Sequence, residues 1–201
     1  MKTGQLTRLL ATLWLALLPS GALAQWQAVE KVETYAISGK SGAELYASIG
    51  ERGPQIGKSG QRSIAHTNFK LTWSRDYRPQ DDGCTLASAR PKLIITYMLP
   101  KPSGKLPPLT GKNWDVFIEG VRKHELVHGD FIKDMVRQIE RISVGLTVAD
   151  DPGCRKIRTE LTQHLSRLSQ QQRQRSRDFD RDELSEGGNI HQLILRLVNG
   201  H

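Results

Sequence analysis

The chain has 201 residues, 37% of them hydrophobic and 25% charged, which excludes both an intrinsically disordered polymer and a multi-span membrane protein. Eighteen Gly and nine Pro exclude a collagen-like chain. Lys and Arg number 29 against 21 Asp and Glu, leaving a formal charge of +8, and where that excess sits decides what it means.

In chain order, Lys2 and Arg8 flank the start of an apolar stretch over residues 9–18. Pro19-Ser20-Gly21 breaks it, and Ala22-Leu23-Ala24 follows as an A-x-A cleavage site. That sequence of parts predicts a secretory signal peptide over residues 1–24. The stretch is too short for a permanent span, which takes about 20 apolar residues. No Cys follows the cleavage site, so no lipid anchor is expected. The expected mature protein is periplasmic or extracellular, with residues 25–201 forming one domain. Export also gives meaning to the cysteines. Cys84 and Cys154 are an even pair in an oxidising compartment, so a disulfide is the default. It would close a loop of about 70 residues, worth about 4 kcal/mol in the chain-entropy account.

Residues 27–37 hold short β-prone runs. Ser41 is a helix N-cap for residues 41–49. Residues 50–62 read as loop. Phe69, Leu71 and Trp73 alternate with polar residues, which predicts a strand with one buried face. Residues 75–83 read as a turn, and residues 85–99 as a second strand, with Pro91 marking a strand start or an edge. Residues 100–112 are a Pro-rich connection. From Asn113, a plausible N-cap, the period becomes helical. Trp114, Phe117, Ile118, Val121, Phe131, Ile132, Met135, Ile139 and Ile142 form one stripe over about eight turns. A second helix is expected from about Cys154 to Phe179, then loop, then a short apolar run over 190–198. Strands first and long helices after predict an α+β fold: a small antiparallel sheet packed on two long C-terminal helices.

The stripe has a gap between Val121 and Phe131. His124-Glu125-Leu126-Val127-His128 fills it, an H-E-x-x-H. Four residues advance a helix by about 400°, so the two imidazoles lie one turn apart on one face. That spacing suits zinc, with nitrogens about 2.0–2.1 Å from the ion. Glu125 is too close in sequence to be a comfortable ligand. It is placed to take a proton from a zinc-acidified water and pass it to a leaving amine.

The chain resembles the bacterial domain-of-unknown-function family 922, described as predicted secreted zinc-dependent proteases. The resemblance runs through Tyr35-Ala36-Ile37-Ser38-Gly39, Glu44-Leu45, Gly53-Pro54, Thr72-Trp73, Cys84 and Thr96-Tyr97-Met98-Leu99-Pro100. It continues through Trp114 to His124-Glu125-x-x-His128. It implies a zincin-like helix and a zinc peptidase acting on peptide or protein substrates. A catalytic zinc takes three protein ligands. Asp134 lies six residues after His128, but Phe131 stands where a turning Gly is needed, and a continuing helix points Asp134 about 240° away. The family's Tyr-Asp…Thr-x-His-Gly-like run has counterparts in Phe179-Asp180-Arg181 and Glu186-Gly187. The resemblance therefore points to Glu186 as third ligand, ahead of His164 on the second helix, with Asp182 and His191 behind them.

Residues 155–181 concentrate the positive charge, with Arg155, Lys156, Arg158, Arg167, Arg173, Arg175, Arg177 and Arg181. They read as a solvated helix face, with contact to an anionic envelope surface as the functional alternative. Nucleic acid is not an expected partner of an exported chain. Nor does the pattern around His66 assign it a role. Two main classes of function follow: a secreted zinc metallopeptidase, or a non-catalytic envelope binding or scaffolding protein with a structural or degenerate metal site; hydrolysis of a non-peptide amide or ester would use the same residues as the first.

Overall fold

A computed structural model describes residues 26–57 and 60–200. The expected signal peptide lies outside the described residues. In chain order the elements are β1 (Val29–Ile37), α1 (Gly42–Arg52), β2 (Gln55–Ile56), β3 (Gln61–Arg62), β4 (His66–Gln80) and β5 (Gly83–Pro102). They continue with α2 (Pro108–Ser143), β6 (Thr147–Ala149), α3 (Lys156–Leu184) and α4 (Asn189–Asn199). The α+β class stands.

The sheet is mixed rather than wholly antiparallel. β5 pairs antiparallel with β4 along its length, antiparallel with β6 at its start, and parallel with β1 from Ile94 to Pro102. β1 is largely exposed and mostly polar, so its sequence carries no inward-facing pattern to fix a direction. β4 is also longer than expected. Residues 75–80 continue the strand, and only Asp81-Asp82 turn the chain into β5. A bulge between Asp76 and Tyr77 interrupts the pairing there, and it hides the strand from a strict period-two reading. Pro91 lies between the stretches that β6 and β1 cover, where β4 alone flanks β5. Its missing N–H therefore costs no bond on that side.

α1 starts as expected. Ser41 Oγ accepts from the Glu44 N–H and Glu44 Oε2 accepts from the Ser41 N–H, both at 3.2 Å, a reciprocal capping box. α2 starts five residues before Asn113. Pro108 takes the first turn, where a missing N–H is harmless, and Asn113 is buried inside the helix. α3 runs past Phe179 to Leu184, and the apolar run near the C-terminus forms α4. β6 was not expected; three residues leave no readable period.

Three apolar clusters set the frame. One joins α1, α4, the ends of β1 and β5, and the first half of α2 as far as Val121. A second packs Leu93, Ile95 and Tyr97 of β5 against Ile132, Met135, Val136 and Ile139 of α2. The third surrounds the Cys84–Cys154 disulfide with Leu86, Ile157 and Leu161. On α2 the buried residues of the first cluster stop at Val121 and those of the second begin at Ile132. His124, Glu125 and His128 occupy the interval. Gly129 lets β5 come this close: a Cβ there would lie 2.1 Å from Tyr97 Oη.

Candidate metal centre

α2 and α3 form an antiparallel hairpin, and its register builds the site. His128 faces Ser176, and His124 faces Asp180. Reflecting either histidine about Pro152 lands on its partner. Asp134, nearer the turn, pairs with Arg175 at 2.7 Å.

Both imidazoles aim Nε2 at one point. His124 Nε2 and His128 Nε2 lie 3.1 Å apart, and Asp180 Oδ1 lies 3.1 and 2.9 Å from them. Three ligands on a tetrahedral zinc with bonds of about 2.0–2.1 Å have atoms about 3.3–3.4 Å apart. The observed triangle is that triangle, slightly contracted. Without a cation, two ring nitrogens face each other and compete for one oxygen. The donor set therefore fits a divalent metal. Burial raises the Asp180 carboxyl's pKa, but the hydrogen bonds and charges of His124 and His128 outweigh it and hold it well below the usual carboxylate range. Asp180 meets the imidazoles as a carboxylate.

The outward nitrogens are supported less evenly. His128 Nδ1 lies 3.2 Å from Ser176 Oγ. His124 Nδ1 is buried without a hydrogen-bond partner, with Glu183 Oε2 at 3.7 Å. Glu183 is thus poised as the carboxylate behind a metal-bound histidine. Phe179 fixes the rings from one side: it stacks on His124 at 4.6 Å between centroids and meets His128 edge-on at 5.5 Å.

Glu125 is 5% exposed. Thr67 Oγ1, on β4, is within hydrogen-bond reach of its carboxylate and of its main-chain oxygen, the latter at 3.1 Å. A hydroxyl has one proton, so Thr67 holds the carboxylate without saturating it. His124, Glu125, His128, Asp180 and Thr67 all line one cleft of about 930 Å³. Its opposite walls are residues 61–69 and the C-terminal half of α3. Phe69, on the inward face of β4 but beyond the reach of the second cluster, contributes an apolar patch to the cleft.

The residue that the structure brings to the two histidines is Asp180, and none of the residues named from the sequence as third ligand joins them. Glu186 is exposed in the turn between α3 and α4 and is not in the group. His164 lies 16 residues before Asp180, about 24 Å along the helix axis, where it faces Glu160 and Arg167. Asp182 is exposed beside Arg181. His191 accepts the Gly187 N–H and closes the α3–α4 turn. Asp180 was present in the sequence pattern as the acid of Phe179-Asp180. The hairpin's symmetry about Pro152 was the signal that would have selected it.

A mixed-sheet α+β domain thus carries two histidines, one aspartate and a neighbouring glutamate in a cleft. Residues 32–188 match the family described as "Bacterial protein of unknown function (DUF922)", and the chain belongs to that family. No curated protein and no solved structure matches the chain.

Proposed function

We propose that this protein is an exported zinc-dependent metallopeptidase. The observation that carries the reading is the convergence of His124 Nε2, His128 Nε2 and Asp180 Oδ1 within 3.1 Å, with Glu125 in the same cleft. His124, His128 and Asp180 would hold the metal. When bound, zinc supplies Lewis acidity toward a carbonyl and acidifies water. Glu125 then has the work of a general base and acid: it accepts a proton from the attacking water and returns it to the leaving amine. A purely structural site needs no carboxylate beside its ligands.

Peptide substrates are favoured by β4. Among the described residues it is paired on one side only, and residues 64–69 line the cleft. The Phe69 N–H donates to the Asn68 side chain at 2.8 Å rather than to a strand. An extended chain can pair with such an edge and lie across the metal centre. Export is supported by the Cys84–Cys154 disulfide, a bond that persists in oxidising compartments. Among the described residues no helix is long and apolar enough to cross a membrane.

The test is Glu125→Gln. Zinc content and melting temperature should stay near wild type, while hydrolysis of an unstructured protein or peptide library falls by about 10²–10⁴-fold. A cellular phenotype that survives Glu125→Gln but is lost in His128→Ala would assign the metal a structural role instead.

A further inference from the structure

The cleft has an uneven charge. Among the described residues lining it, the acids are Glu125 and Asp180 alone, and both belong to the metal centre. The cations are Arg62, Arg173 and Arg177, with His66 beside Thr67. Arg62, on the wall away from α3, has its Nη1 turned to the Gly53 carbonyl at 2.6 Å. Arg173 and Arg177 are not neutralised. Arg173 Nη1 donates to Ser169 Oγ at 2.6 Å, and Arg177 Nη2 to Gln174 Oε1. Both partners are uncharged. Neither arginine has a carboxylate within ion-pair distance among the described residues, and Asp178, next to Arg177, is taken by Arg181 at 2.8 Å. By contrast, Arg175, between them in sequence, reaches Asp134 on α2. The residues on the cleft side form no ion pair among the described residues, while the residue on the packed side does.

Their spacing is also specific. Arg173 and Arg177 are four residues apart, so they share a helix face. Along the α3 axis they stand about 4.5 and 10.5 Å from Asp180. An extended peptide advances about 3.3 Å per residue. A chain that runs along α3 in the cleft would therefore pass Arg177 and Arg173 within about three residues of the bond at the metal.

We propose that Arg173 and Arg177 make this cleft selective for peptides with Asp or Glu within three residues of the scissile bond, on one side of it. This rests on the metallopeptidase reading and names its substrate class. Two of the eight cations of residues 155–181 thereby acquire a role separate from the solvated face.

The experiment uses zinc-loaded Glu125→Gln protein, so that binding is read without turnover. Two labelled unstructured peptides serve as probes, identical except that Glu in one is Gln in the other. Fluorescence polarisation should show the Glu peptide bound about tenfold more tightly at low salt, with the preference shrinking as salt screens it. The double variant Arg173→Glu/Arg177→Glu, made in the same background, should abolish or reverse the preference while retaining zinc and melting temperature. Equal affinities for the two peptides overturn the proposal. So does a double variant that loses binding to phosphatidylglycerol-containing vesicles but keeps the peptide preference, which would assign these arginines to a membrane surface. A parallel digest of a peptide library by wild-type protein keeps the two ideas apart. Cleavage with no acidic preference defeats the selectivity and leaves the peptidase. Selective binding with no cleavage defeats the peptidase.

Discussion

His124 and His128 were legible at once, because an i, i+4 pair on one helix face is a local property. Asp180 was not. Its place depends on the register between two long helices, and no local period encodes that. Glu186 and His164 looked eligible only while α3 was treated as a lone helix of unknown phase. Once His128 faces Ser176 and His124 faces Asp180, Glu186 is carried past the helix end and His164 falls toward the opposite end of the hairpin. Two variants decide the point. Asp180→Ala should weaken zinc binding by more than the ~10–100-fold typical of losing a residue behind a ligand, read by competition with a chromogenic chelator. Glu186→Ala should bind zinc as wild type does. The reverse pattern would restore Glu186 as the ligand.

At the scale of elements, strong local signals survived and long-range ones did not. The N-cap at Ser41 and the stripe from Trp114 to Ile139 appear where expected. The parallel pairing of β1 had no counterpart in its sequence. The start of α3 shows what holds the hairpin's second arm in phase. Asp151 is 4% exposed, and its two carboxylate oxygens accept the N–H groups of Arg155 and Ile157 at 2.8 and 2.9 Å. Burial pushes its pKa up, but the backbone donors and the Lys156 charge prevail and hold it below the usual value. The sign then follows from linkage. A depressed carboxyl stabilises the fold above its unfolded pKa of about 3.9, and that stability is lost as pH falls through the lower folded value. Urea unfolding of wild type should therefore weaken on acidification below about pH 4. Asp151→Asn, which cannot ionise, should be less stable at neutral pH and show a shallower acid limb. An unchanged acid limb would mean that this carboxylate does not anchor α3.

Over the whole molecule, α3 is held by two different means. Its buried residues are Ile157 and Leu161, and both pack beside the disulfide. The bridge closes a separation of 70 residues, worth about 4 kcal/mol on chain entropy. Beyond Leu168 the attachments to α2 are mainly the Asp134–Arg175 ion pair, the Phe179 stack and the contacts of Ser176 and Asp180 with the histidines. An exposed ion pair contributes little, about 0–1 kcal/mol. On the proposed reading, a metal held by His124, His128 and Asp180 would be the principal tie for the second half of α3, and its binding energy would be partly docking energy. Because stability need not be uniform, the two halves should respond separately. Stripping metal with a chelator should raise amide hydrogen exchange over residues 170–184, while residues 156–165 beside the disulfide stay protected. Restoring zinc should reverse the change, and in Asp180→Ala the second half should exchange rapidly with or without it. Uniform protection across α3 after chelation would show that packing alone seats the helix and that the metal is not coupled to the fold.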